Sequence, residues 1–162
     1  MTGGESDPGG AAACLVGVRV LVVDADADVR DLVVEMLVGR GATVISTGTA
    51  VQALELVQRE RPDVLVSGIY MAGNNGFWLI RMIRAMPSTR GAAIPAIAFT
   101  GGADAAGRDL ILASGYDACL AKPSDLGRLA EVVARLRPGA RPSARPAPRG
   151  HDGPEPQGEL ST

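Results

Sequence analysis

Three polar residues each close a short apolar run: Asp24 after Val20-Leu21-Val22-Val23, Thr100 after Ile97-Ala98-Phe99, and Lys122 after Cys119-Leu120-Ala121. A carboxylate, a hydroxyl and an ammonium group at strand ends stand where open α/β sheets gather ligands and chemistry. A fourth run, Val64-Leu65-Val66, reaches the same edge at Gly68, which has no side chain. Asp26 reads first as the cap of the following helix and second as a weak carboxylate donor to a metal. Asp24 and Lys122 can neutralise each other without metal, and as an ordinary, partly exposed ion pair they contribute at most about 1 kcal/mol. No Gly-x-Gly-x-x-Gly follows the first run and no Gly-Lys-Ser/Thr occurs, which excludes dinucleotide and P-loop chemistry.

The elements that must position these residues alternate along the chain. Val18-Arg19-Val20-Leu21-Val22-Val23 is β-branched and nearly all apolar, and predicts a buried strand. Asp26 caps a helix whose stripe is Val29, Leu32, Val33, Met36 and Leu37, stopped by Gly39-Arg40-Gly41. Thr43-Val44-Ile45-Ser46 predicts the second strand, and residues 49–59 a helix carrying Ala50, Leu54 and Val57 on one face. Pro62-Asp63 punctuates the third strand, and a helix over residues 76–86 shows Leu79, Met82, Ile83 and Met86. Residues 94–100 read as the fourth strand, with Pro95 confined to its start. A weakly periodic helix over residues 103–114 carries Gly107. Residues 116–120 form the fifth strand, and Ser124 caps a last helix striped by Leu126, Leu129, Val133 and Leu136. This alternation predicts one α/β domain, a flavodoxin-like doubly wound five-stranded parallel sheet of order 2-1-3-4-5.

Length and composition bound the reading further. A core over residues 18–136 is flanked by a Gly/Ala-rich stretch, 1–17, and a Pro/Arg-rich stretch, 137–162, both expected to be disordered. Arg137, Arg141, Arg145 and Arg149 also admit a reading as a short recognition segment for an acidic partner. The formal net charge of −2 gives no basic field for nucleic acid or an anionic membrane. Cys14 and Cys119 form no disulfide framework and fit a reducing compartment. No segment approaches the roughly 20 apolar residues of a membrane span, so the expected location is cytoplasmic.

Together with Pro62-Asp63, Met71-Ala72-Gly73, Ile94-Pro95-Ala96-Ile97-Ala98-Phe99-Thr100 and above all Gly115-Tyr116-Asp117-Ala118-Cys119-Leu120-Ala121-Lys122-Pro123, this set resembles the receiver domain of bacterial two-component response regulators. The resemblance covers residues 18–136. It implies phosphoryl transfer from a histidine kinase onto an Asp closing strand three, with two acids after strand one holding Mg²⁺. A hydroxyl on strand four and a Lys on strand five then meet the phosphoryl charge. By that resemblance Asp24 matches the first metal-site acid, and Thr100 and Lys122 match the hydroxyl and the lysine. Ala25 stands at the second acid, Gly68 at the phosphoacceptor, Cys119 at the switch aromatic, and Met-Ala-Gly replaces the family's Met-Pro-Gly turn.

Phosphoryl transfer is mostly positioning and charge neutralisation, so losing nucleophile and metal acid removes most of the catalysis. Asp63 lies at the far end of the strand, about 17 Å away at about 3.3 Å per residue, and Ser67 alternates to the other face. The expectation is a pseudo-receiver that is not an enzyme. It binds Mg²⁺ weakly or not at all, through Asp24 and Asp26 at best. It acts by protein–protein contact with a histidine kinase, a phosphotransfer protein or a downstream signalling protein. No DNA-binding domain follows the core in this sequence, and its single histidine, His151, lies in the tail. Phe77 and Trp78 divide between packing and a contact surface, Tyr70 follows the acceptor position, and Cys119 reads as an inert buried thiol. Two rivals stay open: a live phosphorelay using an unorthodox acceptor, and a flavodoxin-like cofactor binder, the latter disfavoured by 3% aromatic residues.

Overall fold

Alternating apolar side chains build the sheet. In β1 (Arg19–Val23), Val20 and Val22 point to one face while Leu21 and Val23 point to the other. The computed structural model describes residues 13–139 except 72, 88 and 90. Over that range the order is β1, α1 (Ala27–Gly39), β2 (Thr43–Thr47), α2 (Ala50–Glu60), β3 (Val64–Ser67), α3 (Gly76–Arg84), β4 (Ala96–Thr100), α4 (Ala105–Ala113), β5 (Ala118–Ala121) and α5 (Leu126–Leu136). All strand pairs are parallel, in the order β2-β1-β3-β4-β5. This is the expected flavodoxin-like arrangement.

One apolar core joins the sheet to α1 and α5 through Val33, Leu37, Leu129 and Val133. The other joins it to α2, α3 and α4 through Ala53, Val57, Leu79, Ile83 and Ile111. Both faces are covered, which is why the central strands read as apolar runs rather than as alternating patterns.

Several local expectations are corrected. Leu15 is fully buried and its N–H donates to the Arg40 carbonyl at 2.8 Å, so packing begins before residue 18. In α3 the buried set is Leu79, Ile80 and Ile83, while Met82 is 39% exposed, because the inward arc lies one residue from the predicted stripe. Leu32 likewise faces outward on α1. Asp125, not Ser124, holds the N-cap position of α5, and its Oδ2 accepts from Ala121 N at 2.9 Å. Tyr116 precedes β5 rather than starting it. The expectations for residues 1–12, for Ala72 and for residues 140–162 lie outside the described residues.

Candidate functional site

Strand register assembles the site. Val23 lies opposite Ser67, and Gly68 N donates to Val23 O at 2.8 Å, so Asp24 and Gly68 are neighbours across β1 and β3. Thr100 lies opposite Ala121, and Lys122 N donates to Thr100 O at 3.0 Å. Each position follows from parallel pairing of apolar strands that end at about the same level.

Asp24 is the hub. Its Oδ2 accepts from Lys122 Nζ at 2.7 Å, with the two side chains 8% and 24% exposed. Its Oδ1 accepts from Asp26 N at 2.9 Å, and its carbonyl accepts from Arg30 Nη1 at 2.6 Å. A Cβ on Gly68 would stand 2.9 Å from Asp24 Oδ2 and 3.3 Å from Asp24 Cγ. Even the first carbon of a side chain at Gly68 would therefore be crowded. The Asp24 carboxylate stands beside Gly68 while holding the lysine.

The remaining residues take other duties. Asp26 Oδ1 accepts from Asp28 N at 2.9 Å and from Val29 N at 3.4 Å, capping α1. Ala25 is exposed and adds no side-chain ligand. Among the described residues, no three His, Cys, Asp or Glu side chains gather as a metal site. Asp63 Oδ2 accepts from Arg19 N at 2.8 Å, at the opposite end of the sheet. Ser67 is fully buried and its hydroxyl donates to Gly68 O at 2.7 Å.

Thr100 is buried, and strand alternation places it on the same face as Cys119, whose side chain packs in the core under α4. Burial pushes the Cys119 thiol above its ordinary pKa, the Arg108 guanidinium draws it partly back, and the Asp125 carboxylate adds to the rise. A thiol so placed has little thiolate for redox chemistry. Phe77 and Trp78 are both half-buried against the core of α2, α3 and α4, whereas Tyr70 is 68% exposed.

The sequence gives no sign of the hydrogen bonds made by Arg30, Arg84 and Tyr116. Arg30 lies in the first turns of the helix that follows Asp24, a position from which it can reach back to the strand end. No local pattern announces the other two, because their partners are far away in the chain.

Residues 20–134 match the family model for the response regulator receiver domain. An uncharacterized 14.6 kDa protein of Leptolyngbya boryana is 41% identical over 119 residues, covering 74% of this chain and 89% of that protein. The DNA-binding response regulator MtrA of Mycolicibacterium paratuberculosis is 33% identical over 74% of this chain and 49% of its own length. The chain thus spans about half the length of that regulator. Among solved structures, the receiver domain of sensor histidine kinase PA1611 from Pseudomonas aeruginosa, with a magnesium ion coordinated in its active-site cleft, superposes with a TM-score of 0.68. It is 26% identical and covers 75% of this chain and 98% of that one. A response regulator receiver protein from Pseudomonas putida gives a TM-score of 0.65 at 31% identity, over 72% of this chain and 94% of that chain.

Proposed function

The chain belongs to the response regulator receiver domain family, and from that premise we propose that it signals without aspartyl phosphate, as a module for protein–protein contact. One observation carries the reading: the Asp24 carboxylate lies 2.9 Å from where a Gly68 side chain would begin, and Lys122 is already bonded to it. The nucleophile is absent, the Asp24 carboxylate crowds the point where its side chain would begin, and the lysine that would meet a phosphoryl group has a partner. The module works in the cytoplasm and performs no catalysis of its own. It sequesters a histidine kinase or phosphotransfer protein, or engages a downstream signalling protein constitutively.

The deciding experiment is incubation of the wild-type chain with Mg²⁺ and acetyl phosphate, followed by intact-mass spectrometry. No mass gain is expected; a phosphoryl group on any carboxylate overturns the reading. Binding to a panel of histidine kinases with and without phosphodonor then identifies the partner class, and affinity independent of the donor is expected.

Mg²⁺ binds weakly in this reading. The ion asks for several oxygen ligands in near-octahedral array, whereas Ala25 and Gly68 offer no side-chain oxygen, Asp26 caps a helix and Asp24 is held by an ammonium group. Fluorescence of Trp78, the sole tryptophan, should show no saturation below millimolar Mg²⁺. Tight saturation with amide shifts centred on Asp24 would contradict this.

Conformational exchange should be silent as well. A two-state switch needs a ligand that favours one state, and here no phosphate arrives to bias Thr100, while Cys119 has no ring to move. Relaxation-dispersion NMR is expected to find no exchange process common to the two residues, and a shared rate constant at both would refute it.

A further inference from the structure

Among the described residues, Tyr116 is a long, buried side chain with a polar tip that the site does not use. It is 4% exposed and sits in the core of α2, α3 and α4. Its hydroxyl donates to Gly76 O at 2.9 Å, a bond between residues 40 apart in sequence. Desolvation pushes the phenol up to about 12, so it remains a neutral donor at physiological pH.

Gly115, the preceding residue, packs where a Cβ would lie 3.0 Å from Ile80 Cγ1 and 3.2 Å from Arg84 Cγ. The Tyr116 side chain therefore runs along α3 from the level of Ile80 and Arg84 to the helix start at Gly76. Gly76 in turn is pressed against the site: a Cβ there would stand 2.5 Å from Gly68 O and 2.8 Å from Ile69 Cα. Its N–H donates to Ile69 O at 2.8 Å. Close-packed contacts transmit displacement because they leave no void to absorb it.

We infer that Tyr116 is a strut that positions the site from outside it, fixing Gly68 beside Asp24 through Gly76 and thereby tying the Asp24–Lys122 pair to the seam between α3 and the start of β5. The inference rests on the reading above, in which no phosphate sets the state of this site. With the acceptor gone, the strut gives the site an input from the α3–β5 side. A partner that shifts this seam alters the pair, and by linkage the pair alters that partner's affinity equally.

Lys122 is the only lysine in the chain, so selective ¹³C-lysine labelling yields one side-chain signal that reports on the site alone. The test compares the full wild-type chain with Tyr116→Phe, which keeps the ring and deletes the donor. Gly76→Ala forces the same contact from its other side. Val132→Ala serves as a control, destabilising the opposite core.

Tyr116→Phe removes the donor to Gly76 O and so eases local opening of the α3 start, which should speed exchange of the Gly76 amide from its bond to Ile69 O roughly fivefold, as the loss of one ordinary hydrogen bond implies. It should also displace or broaden the Lys122 signal, and Gly76→Ala should displace it further. Val132→Ala should leave that signal in place. An unmoved Lys122 signal in Tyr116→Phe overturns the inference, as does an equal displacement in Val132→Ala, which would make the effect a general loosening. Should Gly76→Ala not fold, Tyr116→Phe against Val132→Ala still decides. Phosphoryl uptake by the wild type would overturn the phosphate-free reading but leave the Lys122 comparison untouched, so the two failures are distinguishable.

Discussion

Gly68→Asp combined with Ala25→Asp is expected to convert this chain into one that takes up phosphate from acetyl phosphate in a Mg²⁺-dependent manner. Gly68→Asp alone supplies a nucleophile but no second metal-site acid. It also sets a Cβ 2.9 Å from Asp24 Oδ2, the terminal atom of a side chain that must then swing away and release Lys122. Two carboxylates crowded without a cation repel, and one of them holds its proton. The single variant should therefore be destabilised and should label little or not at all.

Adding Ala25→Asp places a further carboxylate beside Asp24. Mg²⁺ can then draw the carboxylates together, free Lys122 for the phosphoryl group and offset the developing charge, which is most of what this transfer demands. Acid-stable, base-labile modification at position 68 should appear in the double variant alone. Without Mg²⁺ the double variant should unfold at lower urea concentration than the parent. Equal labelling of the parent would show that Gly68 is not what silences the site. Failure of the double variant despite tight Mg²⁺ binding would place the defect in the framework instead.

Arg84→Met is expected to cost the fold roughly 3 kcal/mol, the largest single-residue loss of stability outside the apolar core. The Arg84 guanidinium donates to Gly115 O from Nε at 3.1 Å and from Nη2 at 2.8 Å, and to Ala92 O and Ile94 O from Nη1 at 2.6 Å each. It also pairs with Asp117 Oδ2 at 3.2 Å, with only 26% of its side chain exposed. One planar fork thus binds the end of α3 to the segments leading into β4 and β5. Burial lowers its pKa, and the Asp117 carboxylate counters that shift, so the group stays charged and its bonds are the stronger kind. Methionine keeps the stem and leaves the carbonyls unpaired.

Lysine should recover only part of the loss, because a single ammonium group cannot fork to four acceptors. Urea unfolding with an unchanged m-value is the measurement. A loss below about 1 kcal/mol would place Arg84 among ordinary surface ion pairs.

Much of this is legible in the sequence. Short apolar runs bounded by Gly, Pro and Asp, alternating with striped helices, left one economical solution, a parallel sheet covered on both faces. Strands of similar length then had to bring Asp24, Gly68, Thr100 and Lys122 to one edge. Asp26 as a cap was equally legible, since capping is settled within three residues of chain.

What lay beyond the sequence depends on contacts between residues far apart in it. A stripe predicts a helix but not its rotation, so the buried arc of α3 came out as Leu79, Ile80 and Ile83 instead of including Met82. A polar side chain of unknown partner carries no local pattern, so neither the fork of Arg84 nor the reach of Tyr116 to Gly76 could be read. Gly68 is the sharpest case. The sequence alone determined that no nucleophile stands there. Only the tertiary structure decided that the Asp24 carboxylate, bonded to Lys122, stands against the point where a side chain would begin. A glycine removes atoms from the chain, and close packing of its neighbours decides whether a void or a filled site remains.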